Sequence, residues 1–454
     1  MESLSPSAAK GVDCATMSTP APVFSADPTS YSPELKHWRM RVFASTWLCY
    51  AGFYFCRKPF SIVKSTLKGE LHFDATTLGN IGAVYLISYA LGQFIAGWMG
   101  DKIGPRVNLL IGMAVSIAVG VGFGFANSYA MFMAFMAING LAQATGWSGT
   151  VGTMANWFHR RERGQVMGIW ATNFTVGSLV AGPFAAWVLG NYGFRASFFA
   201  GSVVLSAVWV FFLFNQRNRP EDLGLPAVTD PLVEGAVAPV GPVEPVEPVG
   251  RVQFSRAAWT NILLIALFYF FAKFIRYALW SWAPFFLTEN FNQTSEQAGY
   301  LSTAFDIAGV PGVFITGWLS DKVFKSRRAL VSMLSMVGLT LALLLLCTIG
   351  LTGATAFTVC LMLVGLTLYG PDALMTGAGA MDVGSRRGAV AAAGIISGFG
   401  SLGPVVQELV IGKMYDNSSG DLTPIFTMLM VSAALGCAAL GWMVLRNRQG
   451  RADV

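Results

Sequence analysis

Gly97-Trp-Met-Gly-Asp101-Lys102-Ile-Gly104-Pro-Arg106 and Gly317-Trp-Leu-Ser-Asp321-Lys322-Val-Phe-Lys-Ser-Arg327-Arg328 are two copies of one pattern. Each ends a long apolar run with Gly-Trp, then an acid, a lysine and a basic turn. Their offset, 321 − 101 = 220 residues, is close to half of the 454-residue chain. The chain therefore reads as two repeated halves.

Around the two copies the apolar residues come in runs near twenty residues long. That is the length a hydrocarbon layer of about 30 Å requires. Composition agrees: 54% of residues are hydrophobic and 12% charged, against about 25% charged in soluble domains. Twelve runs are expected as helices, because lipid offers no partner to unpaired backbone groups. Their approximate spans are 42–63, 77–99, 107–127, 129–155, 165–189, 195–215, 259–287, 297–319, 329–349, 354–376, 390–413 and 423–445. The abundant glycines suit helices that approach closely. Cys49, Cys56, Cys347, Cys360 and Cys437 lie in apolar runs and Cys14 outside them, at no metal-ligand or Cys-x-x-Cys spacing. They read as packing residues, with no disulfide framework.

The basic residues set an orientation. Lys102 and Arg106, then Arg160, Arg161 and Arg163, then Lys322, Lys325, Arg327 and Arg328, then Arg386 and Arg387 occupy one set of loops. The opposite loops are nearly free of them, with Lys64 and Lys68 after the first helix as exceptions. Lys36, Arg39 and Arg41 precede the first helix. The positive-inside rule then puts both termini in the cytoplasm. No charged-then-apolar start suggests a cleaved secretory signal. The expected organisation is a tail (1–36), a six-helix bundle (37–215), a linker (216–257), a second six-helix bundle (258–446) and a short tail (447–454). The linker contains Pro-Val-Glu-Pro-Val-Glu-Pro, a low-complexity stretch expected to be extended.

Gly97-x-x-x-Asp101-Lys102-x-Gly104-x-Arg106 resembles the signature loop of the major facilitator superfamily, and the Gly317 copy is a degraded version. A generic charged turn is the plainer reading, but two copies in register favour the resemblance. It implies an all-α membrane protein of twelve transmembrane helices in two pseudo-symmetric six-helix bundles. Internal repeats build many secondary transporters. An acid beside a helix end, facing a basic partner, can latch a gate at these loops.

Ionisable residues inside spanning helices are functional candidates by default. The first helix carries Tyr50, Tyr54, Arg57 and Lys58 at helical spacing, followed by Pro59, which is expected to distort it. The alternative is that Arg57 and Lys58 reach out to the interface. The seventh helix places Tyr269, Lys273, Arg276 and Trp280 on one stripe. Since 276 − 220 = 56, Arg276 falls one residue from the repeat equivalent of Arg57. Two arginines on related helices should face each other across a central cavity and clamp a small anion. Arginine's planar fork suits phosphate and stays charged. Tyr50, Tyr54, Tyr269 and Trp280 could contact the rest of a ligand, or serve packing. Asp306, Asp372 and Glu408 are the intramembrane acids. Asp306 or Asp372 is expected to pair with Lys273; the other reading is proton coupling through a carboxylate.

Arg57-Lys58-Pro59-Phe60, Arg276-Tyr277-x-Leu-x-x-Trp282-x-Pro284 and Tyr369-Gly370-Pro371 together resemble the organophosphate:phosphate antiporter family. Ala144-Thr-Gly146-Trp147 and Arg161-Glu162-Arg163-Gly164 add to the match. Phe271-Ala272-Lys273 and Phe305-Asp306-x-Ala-Gly309 look more like its eukaryotic sugar-phosphate exchanger branch. The resemblance implies exchange of a phosphorylated metabolite for inorganic phosphate, with the site arginines carried onto Arg57 and Arg276. The sequence departs from glycerol-phosphate members in the fifth helix, where Trp170-Ala-Thr-Asn173-Phe174-Thr175-Val-Gly177 lacks their histidine. A second-helix lysine is replaced by Gln93.

The expected function is thus a rocker-switch antiporter acting as a monomer, with a phosphorylated anion, inorganic phosphate and the lipid bilayer as partners. A bacterial inner membrane or a eukaryotic endomembrane would house it. A hexose-phosphate sensor of the same fold and a proton-coupled facilitator of another anion or drug are the rivals. No GxxxxGK[ST] loop, metal-ligand set or nucleophile–base constellation is present. ATP-driven transport, cofactor use, nucleic-acid binding and enzymatic chemistry are therefore not expected.

Overall fold

The computed structural model describes residues 31–159, 162–228, 255–325, 327–376 and 394–449; within these, the side chains of residues 163–165 are not described. Every described element is helical. The N-terminal half comprises α1 (Pro33–Phe53), a 3-10 turn (Tyr54–Cys56), α2 (Lys58–Leu71), α3 (Ala75–Ile103), α4 (Pro105–Phe125), α5 (Tyr129–Gln143), α6 (Thr145–Trp157), α7 (Arg163–Trp170) and α8 (Thr172–Asn215). The C-terminal half comprises α9 (Arg256–Phe291), α10 (Ser295–Ser302), α11 (Ala304–Trp318), α12 (Arg328–Thr348), α13 (Ala354–Leu374), α14 (394–400), α15 (Leu402–Asn417) and α16 (Thr423–Arg448).

Among the described residues nine helical segments are individually long and apolar enough to cross a membrane. The remaining passes follow from three breaks. The first pass, α1 with α2, bends at Tyr54–Cys56. The fourth, α5 with α6, breaks at Ala144. The long stretch through α8 holds two passes folded at Gly193, whose φ of 83° belongs to the left-handed region. Twelve passes result among the described residues, six to a half.

The repeat is visible in backbone detail. His72 and Asn292, 220 residues apart, both end the first helix of their half in left-handed conformation, with φ of 56° and 52°. Asp74 and Thr294, again 220 apart, both cap the following helix by accepting a backbone N–H, from Thr77 and Gln297. A short polar side chain at this position satisfies one of the backbone donors that a helix start leaves unpaired.

Two boundaries differ most from the sequence reading. Ser32 caps α1, so the first helix begins well before residue 42. Beyond the 3-10 turn the chain stays helical to Leu71, which takes Lys64 out of the expected loop and into the protein interior. Arg160, Arg161, Arg386, Arg387, most of the linker and both tail ends lie outside the described residues.

The halves meet at the end that carries His72 and Asn292. Lys68 pairs there with Glu289. Asp416 accepts the Ala75 and Thr76 amides at 3.1 and 2.7 Å, placing a carboxylate from α15 on the positive end of α3. Glycines allow the approach: a Cβ on Gly79 would lie 2.3 Å from the Glu408 carbonyl, and one on Gly412 2.4 Å from that of Ala75.

Candidate functional site

Between the halves lies a cavity of about 770 Å³. Tyr50, Tyr54 and Arg57 reach it from the first pass, and Tyr269, Lys273, Arg276 and Trp280 from the seventh. The 3-10 turn contributes to this arrangement, because it re-phases the first pass just where Arg57 must turn inward. Gln93 and Phe94 on α3, Gly394 and Ser397 on α14 also line it, so the cavity extends toward the end bearing the two repeat loops.

The two arginines are held differently. Arg57 donates from Nε to Gln143 Oε1 at 2.9 Å. Its guanidinium lies 4.9 Å from the Tyr54 ring centre and 5.3 Å from that of Tyr89. Gln143 is itself fixed, accepting from Tyr85 and donating to Ser116 Oγ, Asn139 Oδ1 and the Phe53 carbonyl. Arg276 instead donates from Nη1 to Asp372 Oδ2 at 2.7 Å and lies 4.3 Å over the Tyr369 ring.

The expected pairing of Lys273 with Asp306 or Asp372 is not what the structure shows. Lys273 donates to Ser401 Oγ at 3.2 Å, within its own half. Asp306 accepts from Tyr369 and from Ser178 across the halves, and Asp372 is taken by Arg276. The reason is rotational phase: α11 turns Asp306 toward α8 and α13, and Arg276, one turn along from Lys273, reaches α13 first.

Lys58 does not line the cavity. It is buried with its ammonium 3.9 Å from the Trp280 ring centre and 3.2 Å from the Trp280 carbonyl, joining the halves. Trp280 Nε1 donates to Ser178 Oγ at 2.9 Å, continuing that link. Glu408 lines the cavity floor, accepting from Lys64 at 3.0 Å and from Ser281. Lys64, Ser178, Gln143 and Tyr369 are the contributors that sequence patterning did not single out for the site. Lys64 carried a signal, a lysine among basic-poor loops, that a helix prolonged past the bend would have explained.

The repeat loops lie apart from the cavity. Asp101, Lys102, Asp321 and Lys322 are exposed and make no ion pair among the described residues. Gly104 takes a φ of 83° beside Asn218, and Arg106 caps the end of α8 through the Leu213 carbonyl at 2.7 Å. Nothing lies within 4 Å of a Cβ built on Gly97 or Gly317. Arg327 is exposed at the start of α12.

Two six-helix halves around a charged central cavity define a membrane transporter. Residues 46–408 match the Major Facilitator Superfamily. The "Probable hexose phosphate transport protein" of Chlamydia trachomatis is 27% identical over 405 residues, covering 86% of this chain and 88% of that protein. The "Glycerol-3-phosphate transporter" of Bacillus subtilis is 29% identical over 435 residues, 93% and 97% of the two chains. In fold, the chain resembles a bacterial homologue of the human lysosomal transporter Spinster in an inward-facing, occupied conformation, with a TM-score of 0.69 at 15% identity over 94% of this chain and all of that one. The chain belongs to the major facilitator superfamily and, within it, to the organophosphate:phosphate antiporter family.

Proposed function

We propose that the protein exchanges a phosphorylated small metabolite, of sugar-phosphate or glycerol-phosphate type, for inorganic phosphate by alternating access. The observation that carries this is the convergence of Arg57 and Arg276, from equivalent passes of the two halves, on one cavity. Formal charge supports it. In and around the cavity five cations (Arg57, Lys58, Lys64, Lys273, Arg276) face three acids (Asp306, Asp372, Glu408), which leaves two positive charges, the complement of a phosphate dianion. The named activities of the relatives point to the same class.

The mechanism follows from these charges. Empty, the uncompensated cations repel and hold the halves apart at the open end. A bound dianion cancels them and bridges the halves, so the loaded carrier reorients more readily than the empty one. Such a carrier exchanges rather than leaks. The Asp101 and Asp321 loops close the open end in the other state. The basic residues that frame these loops support, by the positive-inside rule, a cytoplasmic reading of that end and of both termini. Both arginines come from one chain, which suits a monomer.

The test is uptake of labelled phosphate into proteoliposomes preloaded with phosphate. Exchange is expected, competed by one sugar or glycerol phosphate. Arg57→Lys and Arg276→Lys should each lower it about ten- to a hundredfold, because an ammonium cannot replace a bidentate fork. Uptake that needs a proton gradient and no internal phosphate would overturn the antiport reading in favour of proton coupling.

A further inference from the structure

The two cavity arginines are unequal, and the inequality has a source. Arg57 is oriented entirely by neutral groups: the Gln143 carboxamide and the Tyr54, Tyr85 and Tyr89 rings. Among the described residues no carboxylate pairs with it. Its full charge is therefore available to a ligand. Arg276 is paired with Asp372 at 2.7 Å; their side chains are 23% and 7% exposed. Arg276 lines the cavity while Asp372 does not. The carboxylate thus sits behind the guanidinium, holding one edge of the fork and leaving other N–H groups for an anion arriving from the cavity.

We propose that Asp372 is a positioning and specificity-determining residue: it aims the Arg276 fork into the cavity and discounts its charge, so that the site balances a phosphate dianion and releases it. Without Asp372 the cavity region would carry three uncompensated positive charges. A dianion would then leave one of them unbalanced in a poorly hydrated interior, bind too firmly and reorient poorly. Arg57 is the standing anchor and Arg276 the aligned, attenuated one. The division goes beyond the two-arginine clamp but rests on the antiport reading.

Asp372→Asn tests this, since the carboxamide keeps an acceptor for Arg276 and removes only the charge. Equilibrium binding of labelled inorganic phosphate to purified protein in nanodiscs, and phosphate self-exchange in proteoliposomes, are the two readouts. Asp372→Asn should bind phosphate about tenfold more tightly, with KM lowered and maximal exchange rate lowered by a similar factor. Asp372→Glu should keep both near the wild-type values. Arg276→Gln should abolish binding, because Asp372 is left uncompensated beside the site. Adding Asp372→Asn to it should restore part of the binding, since the two positive charges return.

A merely structural role predicts the opposite pattern, weaker binding or less folded protein in Asp372→Asn and no recovery in the double variant. Phosphate affinity unchanged or weakened in a folded Asp372→Asn protein overturns the inference alone. A wild type that binds phosphate but does not exchange it removes the antiport reading and leaves the affinity test in force. A wild type that binds no phosphate overturns both.

Discussion

Lys64 Nζ lies 3.0 Å from Glu408 Oε2, in an ion pair that joins the first pass of one half to the eleventh pass of the other. Both side chains are almost wholly buried, at 0% and 4% exposure, and the ammonium lies 3.7 Å from the Trp282 ring centre. Ser281 donates to the same carboxylate. In the alternating-access cycle proposed above the halves part here, so the pair would belong to one state of that cycle. It would then be the central fastening of this end, with Lys68–Glu289 and Asp416–Thr76 beside it.

Removing one partner should therefore shift the conformational equilibrium rather than unfold the protein. A buried charge left alone costs about 3–5 kcal/mol. Charged against one state only, that amounts to a shift on the order of a hundredfold or more toward the opposite opening. Labelling of a cysteine placed at Thr66, which sits 3.4 Å from Ser295 across the halves, reports it. Glu408→Gln should make this cysteine readily labelled by a membrane-impermeant maleimide. The double change Lys64→Met with Glu408→Leu should protect it again, because an apolar pair closes without a desolvation cost. Equal protection in the wild type and Glu408→Gln would refute the fastening role.

The glycines at the same end predict a contrast that needs no charge. Gly79→Ala would push a methyl group to 2.3 Å from the Glu408 carbonyl oxygen, and Gly412→Ala to 2.4 Å from that of Ala75. Backbone cannot yield as a side chain can, so each should prevent full closure and expose the Thr66 cysteine. Gly97→Ala and Gly317→Ala meet nothing within 4 Å and should leave labelling at the closed end unchanged. Labelling that fails to separate these two pairs would show that the close approach is dispensable.

The repeat made the architecture readable, and the breaks limited it. The 220-residue offset recurs in the His72 and Asn292 caps and in the Asp74 and Thr294 N-caps, because it records two copies of one backbone. Helical spacing placed Tyr50, Tyr54 and Arg57 on the cavity, as it did Tyr269, Lys273, Arg276 and Trp280. It could not assign partners. Which acid meets Lys273 depends on how α11 and α13 rotate against α9, and sequence spacing within one helix carries no information about that. The burial of Lys64 was hidden for a related reason, since the Tyr54–Cys56 turn resets the register between Arg57 and the remainder of the pass. Asp306 shows both limits at once, an intramembrane acid legible as such, whose partners Ser178 and Tyr369 come from two other helices.

Giving Arg57 the kind of partner Arg276 has should attenuate it. Gln143→Glu places a carboxylate where the carboxamide oxygen now accepts the Arg57 Nε–H, with almost no change in shape. Such a charge should weaken phosphate binding by about tenfold, the counterpart of the gain expected of Asp372→Asn. Phosphate affinity by equilibrium binding is the readout, with thermal stability showing that the fold persists. Unaltered affinity would mean that Arg57 does not contact the anion.

A last prediction concerns the loop between the fourth and fifth passes, outside the membrane-spanning segments. Glu162 accepts from the Arg39 guanidinium, from Tyr31 Oη at 2.9 Å and from the His159 amide at 2.9 Å, while Arg39 stacks 4.0 Å over the Tyr31 ring. The cluster ties this loop to the start of α1. Partial burial pushes the Glu162 carboxyl upward, but the Arg39, His159 and Tyr31 hydrogen bonds outweigh it, so the group is held below its ordinary range. A carboxylate depressed in the folded state adds stability that is fully present above its unfolded pKa, about 4.3, and is lost as pH falls through the lower folded value. The difference in melting temperature between wild type and Glu162→Gln should accordingly be constant at neutral pH and shrink only under acid conditions, beginning near about pH 4. A difference that stays the same into strong acid would show that Glu162 acts there as a neutral hydrogen-bond acceptor, and that the tie to α1 owes nothing to its charge.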